Sequence, residues 1–372
     1  RSALSTPLMT VDPLVAIAVA RQASDIHLRA HQFPLIRVHG TLERLTTFPL
    51  VSHEDIEGAA RQLLTADQME KLTRRQEVDA ALVFEGLGRC RASVFRQKGT
   101  LAISLRLIPS NPPKLEDLGL PASVLALVHE SRGLVLITGA TGSGKSTTLA
   151  ALVAEINKTR SMHILTIEDP IEFIHEDIMA VISQREVGLD VESYPRGLLS
   201  ALRQDPDVIL LGELRDPETI ETALVAAETG HLVLSTLHTL DAPETVNRIV
   251  AVFEAHKQPQ VRNQLARVLR ATISQRLLPR ADGKGRALAT EVLVTTPYVR
   301  DCIADIDKVS LIAGAIASGE HAYGMQNFDQ SIFALVQSGA VSVEEAANWV
   351  TNVEEFRMRL RGITPGSRSF SR

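Results

Sequence analysis

Two kinds of hydrophobic pattern divide the chain. From about residue 115 to 295, short unbroken apolar runs alternate with stretches of helical spacing; the runs are LVLIT, HILTI, VILLG and HLVLST. A run without polar relief suits a strand buried on both faces, and strands that take turns with helices predict a doubly wound parallel sheet. Up to about residue 110 the pattern is shorter and mixed. VDPLVAIAVARQA reads as a helix with Pro13 in its first turn, where a missing N–H costs little. SDIHLRA and PLIRVHGTLERL read as strands, the second turning at His39-Gly40, and EDIEGAARQLLTADQMEKL has helical spacing. The segments VDAALVF, GRCRASVFRQ and TLAISLRLI then read as a small antiparallel meander. After about 296 the chain turns helical through VSLIAGAIAS, DQSIFALVQS and VEEAANWVTNVEEFRMRL.

Between the first two regions lies IPSNPPKLED, whose three prolines beside an asparagine disfavour regular structure and mark a hinge. The expected organisation is an α+β domain over 1–110, a linker at 111–117 and an α/β core over 118–295. A helical region over 296–363 and a disordered tail at 364–372 complete it.

Composition narrows the function. A length of 372 residues suits two domains, and a net charge of −5 argues against a surface built for nucleic acid. The two cysteines, Cys90 and Cys302, form no metal-type pair, so neither a disulfide framework nor a Cys-rich zinc site is available. Both are expected to be inert buried thiols. The longest apolar stretches, such as LVAIAVA at 14–20, fall short of the roughly 20 residues that span a bilayer. With no secretory-signal layout at the N-terminus, a cytoplasmic location is expected.

The chemistry sits at the strand ends. GATGSGKS, Gly139 to Ser146, follows LVLIT and runs into STTLAALVAEINK, the context that a phosphate loop requires. Gly139, Gly142 and Gly144 let the backbone N–H groups of Thr141, Ser143 and their neighbours curl around a phosphate at a helix N-terminus. Lys145 is placed to reach the β- and γ-phosphates, Ser146 to offer its hydroxyl to Mg²⁺, and Thr147 follows in the same turn. DVILLGE ends an apolar strand in Glu213, a second candidate for Mg²⁺. TIEDPIEF follows HILTI with Glu168, Asp169 and Glu172 as competing candidates for orienting a water. GHLVLSTLHT, Gly230 to Thr239, has His231 before its apolar run and His238 after it. Seven residues apart on a regular strand, the two point to opposite faces. His238, at the end where such sheets bind ligands, is the better γ-phosphate sensor.

Together these segments resemble the secretion-type hexameric ATPases that drive type IV pili and type II secretion. They are similar to that family's Walker A, Asp box, Walker B and His box, in family order, and SDIHL and GMQNFDQS extend the likeness over nearly the whole chain. The resemblance implies a PAS-like N-terminal domain hinged to a RecA-like motor domain in a ring of six. It also implies Glu172 as catalytic base, Glu213 serving Mg²⁺, and His231 and His238 facing the nucleotide, with a role at the domain interface as the alternative for His231. Arginines of the N-terminal domain complete such sites. Arg91 and Arg106 are the candidates here, with Arg89 beside them and Arg203 and Arg215 as further choices.

The family's assembly and secretion branches carry a tetracysteine zinc element that this chain lacks, which points to the retraction branch, the PilT type. One segment departs from that branch's AIRNLIRE: YVRDCIAD, Tyr298 to Asp305, has Ala304 in place of the second arginine. The leading expectation is a Mg²⁺-ATP-driven motor that retracts type IV pili. Its expected partners are five further copies of itself, an inner-membrane platform protein that holds it at the inner face of the membrane, and other pilus ATPases. An accessory paralogue, a barely hydrolysing scaffold and a nucleic-acid translocase using the basic hairpin LPRADGKGR at 278–286 are the alternatives.

Overall fold

The computed structural model describes residues 10–38, 40–109 and 112–362. The chain forms two compact units, Arg1–Asn111 with Glu172–Ile174, and Pro112–Ile171 with His175–Arg372. The tail expected at 364–372 lies outside the described residues, as do linker position 111 and the His39 of the first predicted turn.

The first unit begins with α1 (Asp12–Ala20), β1 (Ala23–Arg29), β2 (Leu35–Val38) and β3 (Thr41–Arg44). It continues through α2 (His53–Leu63), α3 (Ala66–Arg75), β4 (Glu77–Phe84), β5 (Gly88–Gln97) and β6 (Thr100–Ile108). The strands make one antiparallel sheet in the order β3-β2-β1-β6-β5-β4. Strict alternation shows which face is buried: Cys90, Ala92 and Val94 of β5 pack with Leu14, Ile56 and Ala60 of the helices, while Arg89, Arg91 and Ser93 turn the other way. Burial pushes the Cys90 thiol up to about 11, which makes it inert. The stretch of helical spacing in EDIEGAARQLLTADQMEKL is two helices. Leu64 and Thr65 are extended, and the Thr65 hydroxyl accepts the Gln68 N–H while the Gln68 side chain accepts that of Thr65. This reciprocal cap starts α3 afresh within a continuous apolar periodicity.

The second unit opens with a 3₁₀ turn, Leu115–Leu118, inside the predicted hinge, and the short α4 (Ala122–Leu125). Then come β7 (Gly133–Thr138), α5 (Lys145–Thr159), β8 (His163–Glu168), β9 (Val181–Glu186), α6 (Tyr194–Ala201), β10 (Val208–Leu211), α7 (Pro217–Glu228) and β11 (Leu232–Leu237). After α8 (Ala242–Ala251) and α9 (Gln258–Val268), the hairpin β12 (Leu269–Pro279) and β13 (Arg286–Val294) closes the sheet, whose order is β13-β12-β7-β11-β10-β8-β9. Every neighbouring pair is parallel except β12 with β13. The unbroken apolar runs are explained by helices on both faces: in β7, Leu134 and Leu136 pack with Leu224 and Leu265, and Val135 and Ile137 with Leu149 and Leu152. Each such side chain contributes about 1.5–3 kcal/mol by leaving water. β9, by contrast, is a half-exposed polar edge strand, VISQRE, which no apolar run announces.

The helical end comprises α10 (Pro297–Ala304), α11 (Ile312–Ser318), α12 (Glu320–Tyr323), α13 (Phe328–Gln337), α14 (Val343–Ala346) and α15 (Val353–Leu360). GMQNFDQS fastens it to the sheet. Gln326 exchanges backbone hydrogen bonds with Val292 of β13 and donates from Nε2 to the Thr290 hydroxyl at 2.8 Å. Asn327 caps α13 through Gln330, and the Phe328 ring lies 3.8 Å from the Arg276 guanidinium of β12.

Beside this joint Glu291 is buried and accepts the Ala242 N–H at the start of α8. Burial, reinforced by the charge of Asp241, lifts its carboxyl from 4.5 to about 7, against that hydrogen bond and the pull of Arg276. Between those two values the folded chain holds a proton that the unfolded chain has released, so this group's contribution to stability falls as pH rises from about 4.5 to about 7. Glu291→Gln keeps the acceptor and removes the titration. Its thermal midpoint should vary less with pH across that window, with a relative gain on the order of 1–3 kcal/mol at pH 8. Parallel wild-type and variant profiles from pH 5 to 8 would contradict this assignment.

Candidate nucleotide-binding site

At the end of β7 the backbone enters GATGSGKS under tight constraint. Gly139 has φ +140°, and a Cβ there would stand 2.5 Å from the Ser143 hydroxyl and 2.6 Å from the Gln275 carbonyl of β12. Gly144, at φ +91°, is the left-handed N-cap that launches α5 at Lys145. The loop wraps its own lysine: Lys145 is buried, and its Nζ donates to the carbonyls of Gly139 at 2.8 Å and Ala140 at 3.1 Å.

Two buried polar atoms at this loop have no hydrogen-bond partner among the described residues, the Ser143 hydroxyl and Gln275 Oε1. The Gln275 amide is anchored by donating to the Thr148 hydroxyl at 2.6 Å. An unpaired buried hydroxyl beside a helix N-terminus fits an anion cradle. Next to Gly144, Thr147 and Thr148, a cavity of about 310 Å³ is lined by Leu277, Leu288 and Leu335 and by Arg280 and Arg286. Arg286 also donates to the Gly142 carbonyl at 3.2 Å. These two arginines come from the basic hairpin at 278–286, whose charge was legible while its place beside the loop was not.

The ends of β10 and β11 add the other charged groups. Gly212 is another close approach, since a Cβ there would meet the Tyr194 hydroxyl at 2.5 Å. Glu213 follows it, only 16% exposed, with Oε2 accepting from Arg215 Nε at 2.8 Å. That bond and the charge of Glu213 raise the Arg215 guanidinium further above its usual value. His238 bridges the site, its Nδ1 3.5 Å from Lys145 Nζ and its Nε2 3.5 Å from Glu213 Oε1. An ammonium only donates and a carboxylate only accepts, so both contacts fit the neutral ring protonated at Nε2.

At the end of β8, Glu168 accepts from the Thr166 hydroxyl at 2.6 Å and from Gln184 at 3.3 Å. The Tyr194 hydroxyl is pushed up by burial and then by the charges of Asp169, Glu213 and Glu168, with Arg215 opposing. Glu172 is exposed and lies in the stretch that belongs with the first unit.

The structure does not bring His231 to Lys145, contrary to the expectation that both histidines face the nucleotide. It precedes β11, its Nδ1 stands 2.9 Å from the Ala226 carbonyl at the end of α7, and its own carbonyl accepts the Gly133 N–H. Six strand residues separate it from His238, about 20 Å at the usual rise. Arg203 is exposed and donates to the Leu199 carbonyl one turn back in its own chain. In the first unit Arg91 and Arg106 are cross-strand neighbours. Arg91 pairs with Asp79 at 3.4 Å, and Arg106 pairs with Asp25 at 3.1 Å while staying 74% exposed. Arg89 Nε is buried with no partner among the described residues.

Residues 6–348 match the family described as type II/IV secretion system protein. A twitching motility protein of Neisseria gonorrhoeae is 44% identical over 321 residues, which are 86% of this chain and 85% of that protein. The type IV pilus retraction ATPase PilT of Pseudomonas aeruginosa is 41% identical over 348 residues, 94% of this chain and 100% of that one. A crystal structure of the pilus retraction motor PilT with bound ADP superposes with a TM-score of 0.86 at 42% identity, covering 93% of this chain and 98% of the other. With a phosphate loop, a strand-end acid and a histidine bridge in the order this fold requires, the chain belongs to the type II/IV secretion system protein family.

Proposed function

We propose that this chain is an ATP-hydrolysing motor that powers type IV pilus retraction. The observation that carries the reading is the convergence of Lys145, His238 and Glu213 beside an open anion cradle, in a chain similar over most of its length to retraction ATPases. In this reading the N–H groups from Gly139 to Thr147 receive the phosphates, and Lys145 leaves the Gly139 and Ala140 carbonyls for the β- and γ-phosphate oxygens. The purine and ribose enter the cavity between Leu277, Leu288 and Leu335, with Arg280 and Arg286 at its wall. Ser146 and Glu213 would hold Mg²⁺, which when bound would supply positive charge against the phosphates. Glu172 accepts a proton from the attacking water as its oxygen bonds the γ-phosphorus and the bond to the bridging oxygen breaks. His238 reports the γ-phosphate, and Arg91 and Arg106 supply further positive charge when the ring closes.

The working assembly is a homohexamer. Its PAS-like domain, residues 1–110, and its motor core, 118–295, move about the linker at 111–117, and the helical region at 296–363 travels with the core. No helix among the described residues is long and apolar enough to cross a membrane. In this reading attachment at the cytoplasmic face of the inner membrane runs through a platform protein, and other pilus ATPases share that site. Nucleic acid has no role: the net charge is −5, and the hairpin arginines face the cavity beside the phosphate loop.

Three experiments test this reading. In cells whose only copy carries Lys145→Ala, surface pili should accumulate and twitching should stop; bald cells would make it an assembly motor, and an unchanged count would remove it from retraction. Glu172→Gln should lower ATP turnover by about 10²–10⁴-fold while leaving nucleotide binding intact. Equal rates would transfer the base to Glu168 or Asp169. Arg280→Ala should raise the KM for ATP several-fold with kcat little changed, and an unaltered KM would remove the nucleoside from this cavity.

A further inference from the structure

One pair of histidines takes no part in the chemistry above. His31 follows β1 and His53 opens α2, and their Nε2 atoms stand 3.2 Å apart with ring planes at 84°. Both are exposed, so apolar packing does not force them together. The backbone does. His31 sits at φ +61°, its N–H donates to the Val51 carbonyl at 2.8 Å, and the Val51 N–H returns a bond to Gln32. Next to Val51, Ser52 caps α2 in a reciprocal box with Asp55, which fixes His53 as the first helical residue.

Two neutral imidazoles at this distance share a single proton, one nitrogen donating to the other. The spacing is also what a metal ion imposes: two nitrogens on one tetrahedral zinc, at about 2.0–2.1 Å each, stand about 3.3–3.4 Å apart. We propose that His31 and His53 form a binding site for a divalent late transition-metal ion of the zinc class, with water completing its shell. The ion takes the place of the proton between the rings; the donating ring gives up that proton at Nε2 and takes one up at Nδ1 from solvent, so both imidazoles bind as neutral ligands. Among the described residues no group of three or more His, Cys, Asp or Glu is arranged to hold a metal, so this is an open, exchangeable site. Imidazole nitrogens favour zinc, nickel and copper, whereas Mg²⁺ prefers oxygen, which keeps the site separate from the ion that accompanies ATP. Glu54 and Asp55 in the first turn of α2 offset the positive end of the helix. Binding clips the loop after β1 to the start of α2 and stabilises the first unit by mass action.

The test uses the full chain without nucleotide, titrated with Zn²⁺ in a calorimeter, with Mg²⁺ as control. The variants are His53→Gln and His31→Asn, since asparagine tolerates the left-handed backbone at that position. The wild type should bind one zinc that either variant binds at least tenfold more weakly. Zinc should raise the thermal midpoint of the wild type and not that of the double variant, and ATP turnover of the variants should match wild type. Pulsed spectroscopy of bound Cu²⁺ should read two imidazole nitrogens in the wild type and one in each variant. Zinc binding that survives in the double variant, or no zinc binding by the wild type, overturns the proposal.

Discussion

No side chain fits where β7 ends. A Cβ on Gly139 would press into the carbonyl of Gln275 on the neighbouring β12, so the loop can turn toward α5 only because that position is bare. Much else follows from this contact. β12 serves as the back wall of the phosphate loop: Ser274 bonds Thr138, and Gln275 holds Thr148 in the first turns of α5. Because successive strand residues point to opposite faces, Arg276 turns away from the loop and lies over Phe328, where the helical end is fastened. One strand thus supports the nucleotide site with one residue and the C-terminal helices with the next. Farther along, the same hairpin supplies Arg280 and Arg286 to the cavity wall.

The electrostatics of the site have a common design. Lys145 is satisfied by two carbonyls, Glu213 by Arg215, and His238 lies between them. Among the described residues of this site each of these charged groups has a partner, which matters because an unpaired buried charge would cost several kcal/mol. Each of these bonds is also replaceable. A phosphate oxygen would offer Lys145 a charged acceptor in place of a neutral one, adding ion-pair attraction to bonds that the ammonium charge already assists. In the proposed function, ligand binding would thus be an exchange of partners.

What the sequence revealed, and what it concealed, follows from where side chains have to point. LVLIT, VILLG and HLVLST were legible because a strand covered on both faces must be apolar throughout, and GATGSGKS because its glycines answer to backbone geometry. β9 was hidden by its edge position, which lets Ser183, Gln184 and Arg185 alternate with little apolar content. The break between α2 and α3 was written in the sequence as Thr65 and Gln68, but the hydrophobic period runs through it. The sequence ranks His238 above His231 as the phosphate sensor because it ends the strand, and about 20 Å of strand lies between them: among the described contacts His238 reaches Lys145 and His231 does not. Arg280 and Arg286 carried a visible charge, but their position depends on β12 pairing with β7, a contact between residues more than a hundred apart.

The departure at Ala304 can be read in the same terms. In YVRDCIAD, Val299, Cys302 and Ile303 are buried and anchor α10, and the Ile303 carbonyl accepts from the buried Arg262. Arg300 and Ala304 are exposed. An alanine in place of arginine at that position removes no core contact and reaches none of the groups around Lys145. It alters only the surface that α10 offers to whatever meets it. The cluster around Lys145 and the exposed face of α10 are therefore under separate constraints in this chain. Divergence at 304 changes an exposed position of α10 and leaves the contacts among Lys145, His238 and Glu213 as they are.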